Sequence, residues 1–233
     1  CGSSGRGIPS PPRRGIPCRI VSMTAADQAE LQGWFPDKFL YRADRDSYDY
    51  VYSVDDLADL KGRKFQKKRN HVNRFRAEHS QFELQNLTDG NFSAAQRMVG
   101  EWYRARMQAD PTGDYMMESI AMSRAFRHYE GLQMESAVLV ENGEILAVTM
   151  GSRLWSDTFD IHFEKAREDV DGAYAAVNCE FARYLRLKYP NLRYLNREDD
   201  VGLAGLRKAK LSYNPHHMVE KSWAYLAEDF HGD

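Results

Sequence analysis

His162 and Glu164 stand in TFDIHFEK, residues 158–165, where polar and apolar residues alternate. In a strand, Phe159, Ile161 and Phe163 point one way and Thr158, Asp160, His162 and Glu164 the other. Four polar side chains on one face of a strand expected inside a sheet require a reason. Either the strand is an edge with one wet face, or this face lines a reaction cleft. In a cleft, His162 or Glu164 can take a proton from an attacking amine or hydroxyl. Both residue types fit a general base, which needs reach and a suitable pKa.

Two further clusters carry charge. Asn196, Arg197, Glu198, Asp199 and Asp200 run together, followed by Gly202, Gly205, Arg207, Lys208 and Lys210. They fall at the carboxyl end of a predicted strand, where open sheets commonly place ligands. Asp200 can instead cap the next helix and the charges can pair locally, while Gly202 and Gly205 permit close approach of a backbone or a ligand. Asn178 and Glu180, on the preceding predicted helix, can face the same side. The stretch Lys61–Arg76, KGRKFQKKRNHVNRFR, holds eight Lys or Arg and no Asp or Glu. At 100° per residue Phe65, Val72 and Phe75 fall on one narrow arc, with Lys68 inside it. A lysine in an apolar stripe is costly unless an anion meets it. Either Lys68 snorkels to the rim of a solvated basic face, or the helix receives a polyanion such as tRNA, a phospholipid headgroup or a cofactor phosphate.

The rest of the chain bounds these readings. At 233 residues, 42% hydrophobic and 12% aromatic, it is globular with a sizeable core. Lys+Arg 32 against Asp+Glu 34 leaves a net charge of -2, so a polyanion partner must rest on the local basic cluster. Cys1, Cys18 and Cys179 show neither zinc-ligand spacing nor a disulfide framework, which points to a reducing, cytoplasmic setting. No apolar run reaches the roughly 18 residues of a spanning helix. The first residue is Cys, which reads as a chain whose natural start lies upstream.

Elements that must position these residues follow from turn and cap signals. Residues 1–16 are Gly, Pro, Ser and Arg and read as a disordered or tag-like tail. Cys18–Ser22 is a short strand. Thr24 caps a helix with Asp27 in its first turn. Strands cover 39–42 and 49–53, and Ser53 with Asp55 and Asp56 opens a short helix ending near Gly62. The basic helix runs to about Ser80. Then come strand 82–87, helix 92–107, a break at 110–113, helix 115–129, and three strands, 135–140, 145–154 and 159–165. Asn142-Gly143 is the hairpin signal between the first two of these. Helix 172–187, strand 192–195, helix 203–212 and a last strand 217–227 complete the order. Trp102, Tyr103, Met116, Met117 and Phe126 in the two middle helices read as plain core.

This order is mixed α/β, a largely antiparallel sheet flanked by helices. From residue 81 it resembles the Gcn5-related N-acetyltransferase fold. In coenzyme A enzymes of that fold, the loop after the polar strand carries Arg/Gln-x-x-Gly-x-Gly/Ala and holds a pyrophosphate at a helix N-terminus. Here the loop is AREDVDGA, residues 166–173, with one glycine and three acids. That composition opposes a pyrophosphate, and Asp171 reads as a helix cap.

DYVYSVDDLADLKGRKFQKKRNHVNRF, HFEKAREDVDGAY and LNREDDVGLAGLRKAKLSYNP together resemble a bacterial family of uncharacterised proteins related to the C-terminal domain of phosphatidylglycerol lysyltransferase. The resemblance spans about Cys18 to the end. It implies two acetyltransferase-like halves in tandem, as in Fem-type aminoacyltransferases. Residues 17–55 would then be the remnant of an N-terminal half, 56–80 a basic connecting helix, and 81–230 the C-terminal domain. It also implies transfer of an acyl group, an aminoacyl group from charged tRNA, to an amine, hydroxyl or lipid acceptor. Under the resemblance, Lys64, Lys67, Lys68, Arg69 and Asn70 are the basic-helix positions that meet substrate. His162, Glu164, Asn196, Arg197, Glu198 and Lys208 line the cleft, with His162 or Glu164 as base.

The expected chemistry is direct attack on an activated ester, with no metal and with aminoacyl-tRNA as donor ahead of acetyl-coenzyme A. Two alternatives stand beside it. One is an acetyl-coenzyme A-dependent N-acetyltransferase with a divergent loop. The other is a non-enzymatic module whose basic helix binds RNA or an anionic lipid surface.

Overall fold

The computed structural model describes residues 18–111 and 113–227; the expectation of a tail over 1–16 lies outside them. Among these residues the chain forms two compact units, 18–44 with 220–227, and 45–219.

The smaller unit is a three-stranded antiparallel sheet and one helix. Strand β1 (Arg19–Met23) is followed by α1 (Ala25–Trp34), and β2 (Phe39–Ala43) comes next. Thr24 and Asp27 form the capping box that their spacing predicts, each satisfying a backbone N–H of the other. The third strand of this sheet is Ser222–Leu226, which lies between β1 and β2.

The larger unit carries every candidate site residue. Strand β3 (Asp49–Ser53) leads into α2 (Val54–Asp59), with Ser53 accepting from the Asp56 N–H at the helix start. Arg63–Phe65 form a single 3-10 turn ahead of the basic helix α3 (Gln66–Glu78). Strand β4 (Glu83–Asn86), helices α4 (Asp89–Ala109) and α5 (Tyr115–His128), and strands β5 (Glu135–Glu141), β6 (Glu144–Arg153) and β7 (Thr158–Ala166) follow. Helix α6 (Ala173–Lys188), strand β8 (Tyr194–Asn196), helix α7 (Ala204–Leu211) and strand β9 (His217–Val219) complete it. Strand β10 is the Ser222–Leu226 strand of the smaller unit. The predicted last strand is therefore two strands of different sheets: β9 pairs with β3, and β10 with β1 and β2.

The seven strands are ordered β4-β5-β6-β7-β8-β3-β9. All neighbours are antiparallel except β7 and β8, which α6 connects as a crossover. Asn142 and Gly143 have φ of 50° and 81°, both left-handed, as a two-residue hairpin turn demands. Helix α6 covers one face, where Phe181, Ala182 and Leu185 pack on Phe159, Ile161 and Leu195. Helices α4 and α5 cover the other, where Tyr103, Met122 and Phe126 pack with Val138, Val148 and Met150. The arc of α3 is buried as its period requires: Phe65 and Val72 pack with Leu60 of the preceding turn and Ala175 and Cys179 of α6. Met116 and Met117, read as core, are instead 58% and 63% exposed. They sit on the first turn of α5 and face away from the sheet, so the apolar residue type misleads there.

Strand β7 departs from simple alternation. Met150 of β6 pairs with Phe163 and Gly151 with Ile161, so His162 is an extra residue, a β-bulge. The bulge resets the side-chain parity. Phe159 and Ile161 join the core under α6, but Phe163 packs under α4 and α5. Glu164 turns towards α6, and Lys165 towards Glu118 of α5 at 2.6 Å. The expectation that Phe163 shares a side with Ile161, and Glu164 a side with His162, is overturned by that one inserted residue. Gly151 makes the bulge possible, because a Cβ there would overlap the Asp160 carbonyl oxygen and the Phe159 ring.

Candidate active site

The parallel pairing of β7 with β8 is short. It runs from Thr158–Tyr194 to Asp160–Asn196 and stops. Strand β7 continues to Ala166, while the chain after Asn196 turns away with Glu198 and Val201 at φ of 55° and 44°. A fork opens between them, and His162, Glu164, Arg197 and Glu198 all project from its two arms.

A hydroxyl–imidazole–carboxylate chain spans the fork, from Ser152 of β6 through His162 of β7 to Glu198. His162 Nδ1 lies 3.0 Å from Glu198 Oε1, and Nε2 lies 2.8 Å from Ser152 Oγ. A carboxylate only accepts, so Nδ1 carries the proton, and Nε2 of the neutral ring accepts from the Ser152 hydroxyl. The hydrogen bond to Glu198 raises the His162 pKa, burial opposes this, and Asp160, 3.8 Å from Nδ1, adds to the rise. Left-handed backbone is strained for glutamate, and Glu198 is held in it from three sides. Its N–H donates to Asn196 Oδ1 at 2.9 Å, and its carbonyl accepts from the Tyr50 N–H at 3.1 Å and Lys210 Nζ at 3.2 Å. Asn196 is fixed in turn, with Nδ2 donating to Asp49 Oδ2 at 3.0 Å. Both residues are buried. Asn196 therefore shapes the loop that aims Glu198.

Beside it lies an ion-pair group. Arg197 Nη2 donates to Glu164 Oε1 at 2.7 Å, with the two side chains only 16% and 8% exposed. The guanidinium lies 5.2 Å from the Tyr213 ring centre and 5.9 Å from that of Tyr52. Lys68 Nζ sits 4.0 Å from the Tyr213 ring. Lys210 donates to the Arg197 and Glu198 carbonyls. Burial lowers the pKa of both lysines, and the Arg197 charge lowers them further, with Lys210 pushed down to about 8. Asn178 of α6 reaches Glu164 at 3.4 Å. Its Oδ1, and the hydroxyl of Thr149, which pairs with Glu164 across β6 and β7, are buried with no hydrogen-bond partner among the described residues.

A buried carboxylate locks the loop behind the fork. Asp200, fully buried, accepts from the Tyr50 hydroxyl and from Arg207 through Nε and Nη2, both at 2.8 Å. Those bonds hold its carboxyl well below the usual carboxylate range. It does not cap α7; Leu203 occupies that position.

The remaining predicted residues are dispersed. Lys64 pairs with Asp56 at 2.8 Å, and Arg69 donates to the Leu60 carbonyl at 2.5 Å and the Gly62 carbonyl at 3.1 Å, closing the end of α2. Asn70 accepts from Gln66 at 2.9 Å on the exposed side of α3, Lys67 is exposed, and Glu180 pairs with Arg76 and Arg183. Lys208 is exposed on α7; the lysine that faces the fork is Lys210. Two residues on one helix separated by two positions lie about 200° apart, so only one of them can face inward.

The acid-rich loop is neutralised. Arg167 pairs with Asp169 at 2.7 Å and Glu144 at 3.0 Å, Arg106 pairs with Glu168, and Arg74 with Asp171. Asp171 is not the cap of α6. Gly172 is, at φ 82°, and a Cβ there would lie 2.9 Å from the His71 carbonyl oxygen. The basic helix thus packs directly on the first turn of α6.

Ser152, Tyr52 and Tyr213 are functional-site neighbours that the sequence does not mark, and Lys210 is marked only as one member of a charged cluster. Ser152 has no signal, because its partner lies on the neighbouring strand, at a bulge.

A family profile described as phosphatidylglycerol lysyltransferase, C-terminal, matches residues 13–225. A conserved protein of unknown function from Bacteroides thetaiotaomicron VPI-5482 is 38% identical, with a TM-score of 0.81 over 89% of this chain and 69% of that one. L-PGS from Bacillus licheniformis is 16% identical, with a TM-score of 0.65 over 92% of this chain and 69% of that one, which shows a shared fold. An uncharacterized protein of Mycoplasmoides gallisepticum is 23% identical over 176 residues, 75% of this chain. The chain spans 55% of the length of that relative. No helix among the described residues is long and apolar enough to cross a membrane.

Proposed function

Because this chain belongs to the family of phosphatidylglycerol lysyltransferase C-terminal domains, we propose that it is an acyltransferase that moves an aminoacyl group from charged tRNA to an amine or hydroxyl. The observation that carries this is the Glu198–His162 hydrogen bond, 3.0 Å long, on the loop that also holds the Arg197–Glu164 ion pair. An aminoacyl ester is already activated, so the protein need only orient the two substrates and manage one proton. His162 Nε2 takes the proton from the attacking hydroxyl or amine and returns it to the ribose hydroxyl that leaves. Glu198 holds the imidazole and stabilises its cation.

Lys68, half-buried against the Tyr213 ring, supplies positive charge for a phosphate of the donor. Glu164 is engaged as the counter-ion of Arg197, which supports His162 as the base in this reading. The exposed Lys67 and Lys208 are suited to phosphates further along the tRNA. Against coenzyme A as donor stands the backbone of α3, packed on the first turn of α6 where a pyrophosphate would sit.

Transfer is tested with lysyl-tRNA and other charged tRNAs, using phosphatidylglycerol vesicles or hydroxylamine as acceptor. The reading expects acceptor-dependent loss of the tRNA ester, reduced about 100-fold or more by His162→Gln. Acetyl transfer from acetyl-coenzyme A with no transfer from any charged tRNA overturns it.

A further inference from the structure

Ser152, His162 and Glu198 have more than the base function above requires. A base for an incoming acceptor needs a free Nε2, yet here Nε2 is already engaged by a hydroxyl of the protein at 2.8 Å. The hydroxyl, the imidazole and the carboxylate are in series, at 2.8 and 3.0 Å, with the imidazole in the tautomer that accepts from the serine. Ser152 is only partly buried, and the His162 side chain is 31% exposed, so a reactant can reach the serine. The bulge at His162 is what brings the ring against Ser152, since Ser152 itself pairs with Asp160 in the strand register. Gly151, next to the serine, cannot carry a side chain without displacing the β7 backbone at Asp160, two residues before His162.

We propose that Ser152 is a nucleophile, and that the acyl group passes through an ester on Ser152 before it reaches the acceptor. This deepens the acyl-transfer reading and specifies two displacements in place of one. In the first, Ser152 Oγ bonds to the carbonyl carbon of the activated ester and its proton moves to His162 Nε2. The bond from carbonyl carbon to donor oxygen breaks, and the leaving oxygen takes that proton. In the second, the acceptor N or O bonds to the same carbon, its proton passes to Nε2, the Ser152 ester bond breaks, and Ser152 Oγ recovers the proton. The exchange is ester for ester or amide and consumes no other reactant. With water as acceptor the same cycle is a slow esterase reaction, so the chain has an activity that needs no tRNA.

The test is labelling with a fluorophosphonate and turnover of p-nitrophenyl acetate, read by intact mass, peptide mapping and pre-steady-state absorbance. The inference expects one adduct per chain, on Ser152, and a burst of p-nitrophenol near one equivalent. Ser152→Ala abolishes both, and His162→Gln slows labelling about 100-fold or more. Circular dichroism and the melting temperature confirm that each variant is folded. No adduct, or an adduct on another residue, overturns the inference. So does transfer from charged tRNA at the wild-type rate by Ser152→Ala, and in that case the acyltransferase reading stands as a single displacement. A chain that labels on Ser152 and shows the burst but transfers from no charged tRNA keeps this inference and loses the tRNA reading.

Discussion

Glu164→Gln separates a counter-ion from a base. In the folded protein Glu164 is the carboxylate in contact with Arg197, and Lys68 and Lys210 are close enough to Arg197 that its charge lowers the pKa of both. At 2.7 Å, and at an effective dielectric of about 20, the gross attraction of the pair is about 6 kcal/mol. Desolvation of two side chains that are 16% and 8% exposed cancels much of it. The glutamine keeps one acceptor for Arg197 but leaves the guanidinium without an anion. Breaking such a pair from one side costs about 3 kcal/mol net. For a chain of 233 residues that is a drop of roughly 6–12 °C in melting temperature. Because the vacancy is cationic, phosphate or sulfate is expected to restore part of the loss. The assay is thermal unfolding in buffers of matched ionic strength, with and without sulfate, followed by a pH–rate profile of the folded variant. A melting temperature within about 2 °C of wild type refutes the counter-ion argument. A folded variant that has lost a rate ionisation does so as well, since it would make Glu164 the base.

Gly151→Ala is expected to destabilise by about 1–3 kcal/mol, because its Cβ overlaps the β7 backbone. It also disrupts the Ser152–His162 alignment, so ester turnover falls further than the melting temperature alone explains; urea melts and p-nitrophenyl acetate turnover check this. Lys210 has a folded pKa near 8 against an ordinary 10.5. Between those values the unfolded chain binds more protons, so this residue makes stability rise with pH across about 8 to 10.5 and leaves it level outside that window. Urea midpoints at four pH values should climb in wild type and stay flatter in Lys210→Met. Because the Glu198 hydrogen bond raises the His162 pKa, wild-type kcat/KM should rise with pH through an inflexion above 6.5. In Glu198→Gln the inflexion moves to lower pH while the maximal rate falls.

Much of the element order is legible because the signals are local. The Thr24–Asp27 box, Ser53 before two acids, and Asn142-Gly143 each fix a backbone conformation within four residues. The arc of Phe65, Val72 and Phe75 needs only helical period. The mixed α/β layout of a largely antiparallel sheet flanked by helices follows from that order, and the family from three stretches of sequence. What is not legible depends on register between strands. The alternation of TFDIHFEK is sound up to Ile161 and fails at His162, because the bulge is set by Gly151 on a different strand. For the same reason Ser152 is silent in the sequence. The division of 217–227 into β9 and β10 depends on which strands lie alongside, and the choice of Lys210 over Lys208 depends on which side of α7 is packed.

The measurement closest to the central claim is single-turnover transfer from charged tRNA by wild type and by His162→Gln, with acetyl-coenzyme A as the competing donor. The account predicts acceptor-dependent loss of the aminoacyl ester in wild type, at least about 100-fold slower in His162→Gln, with no acetyl transfer. Equal rates in the two proteins, or transfer from acetyl-coenzyme A alone, would contradict it.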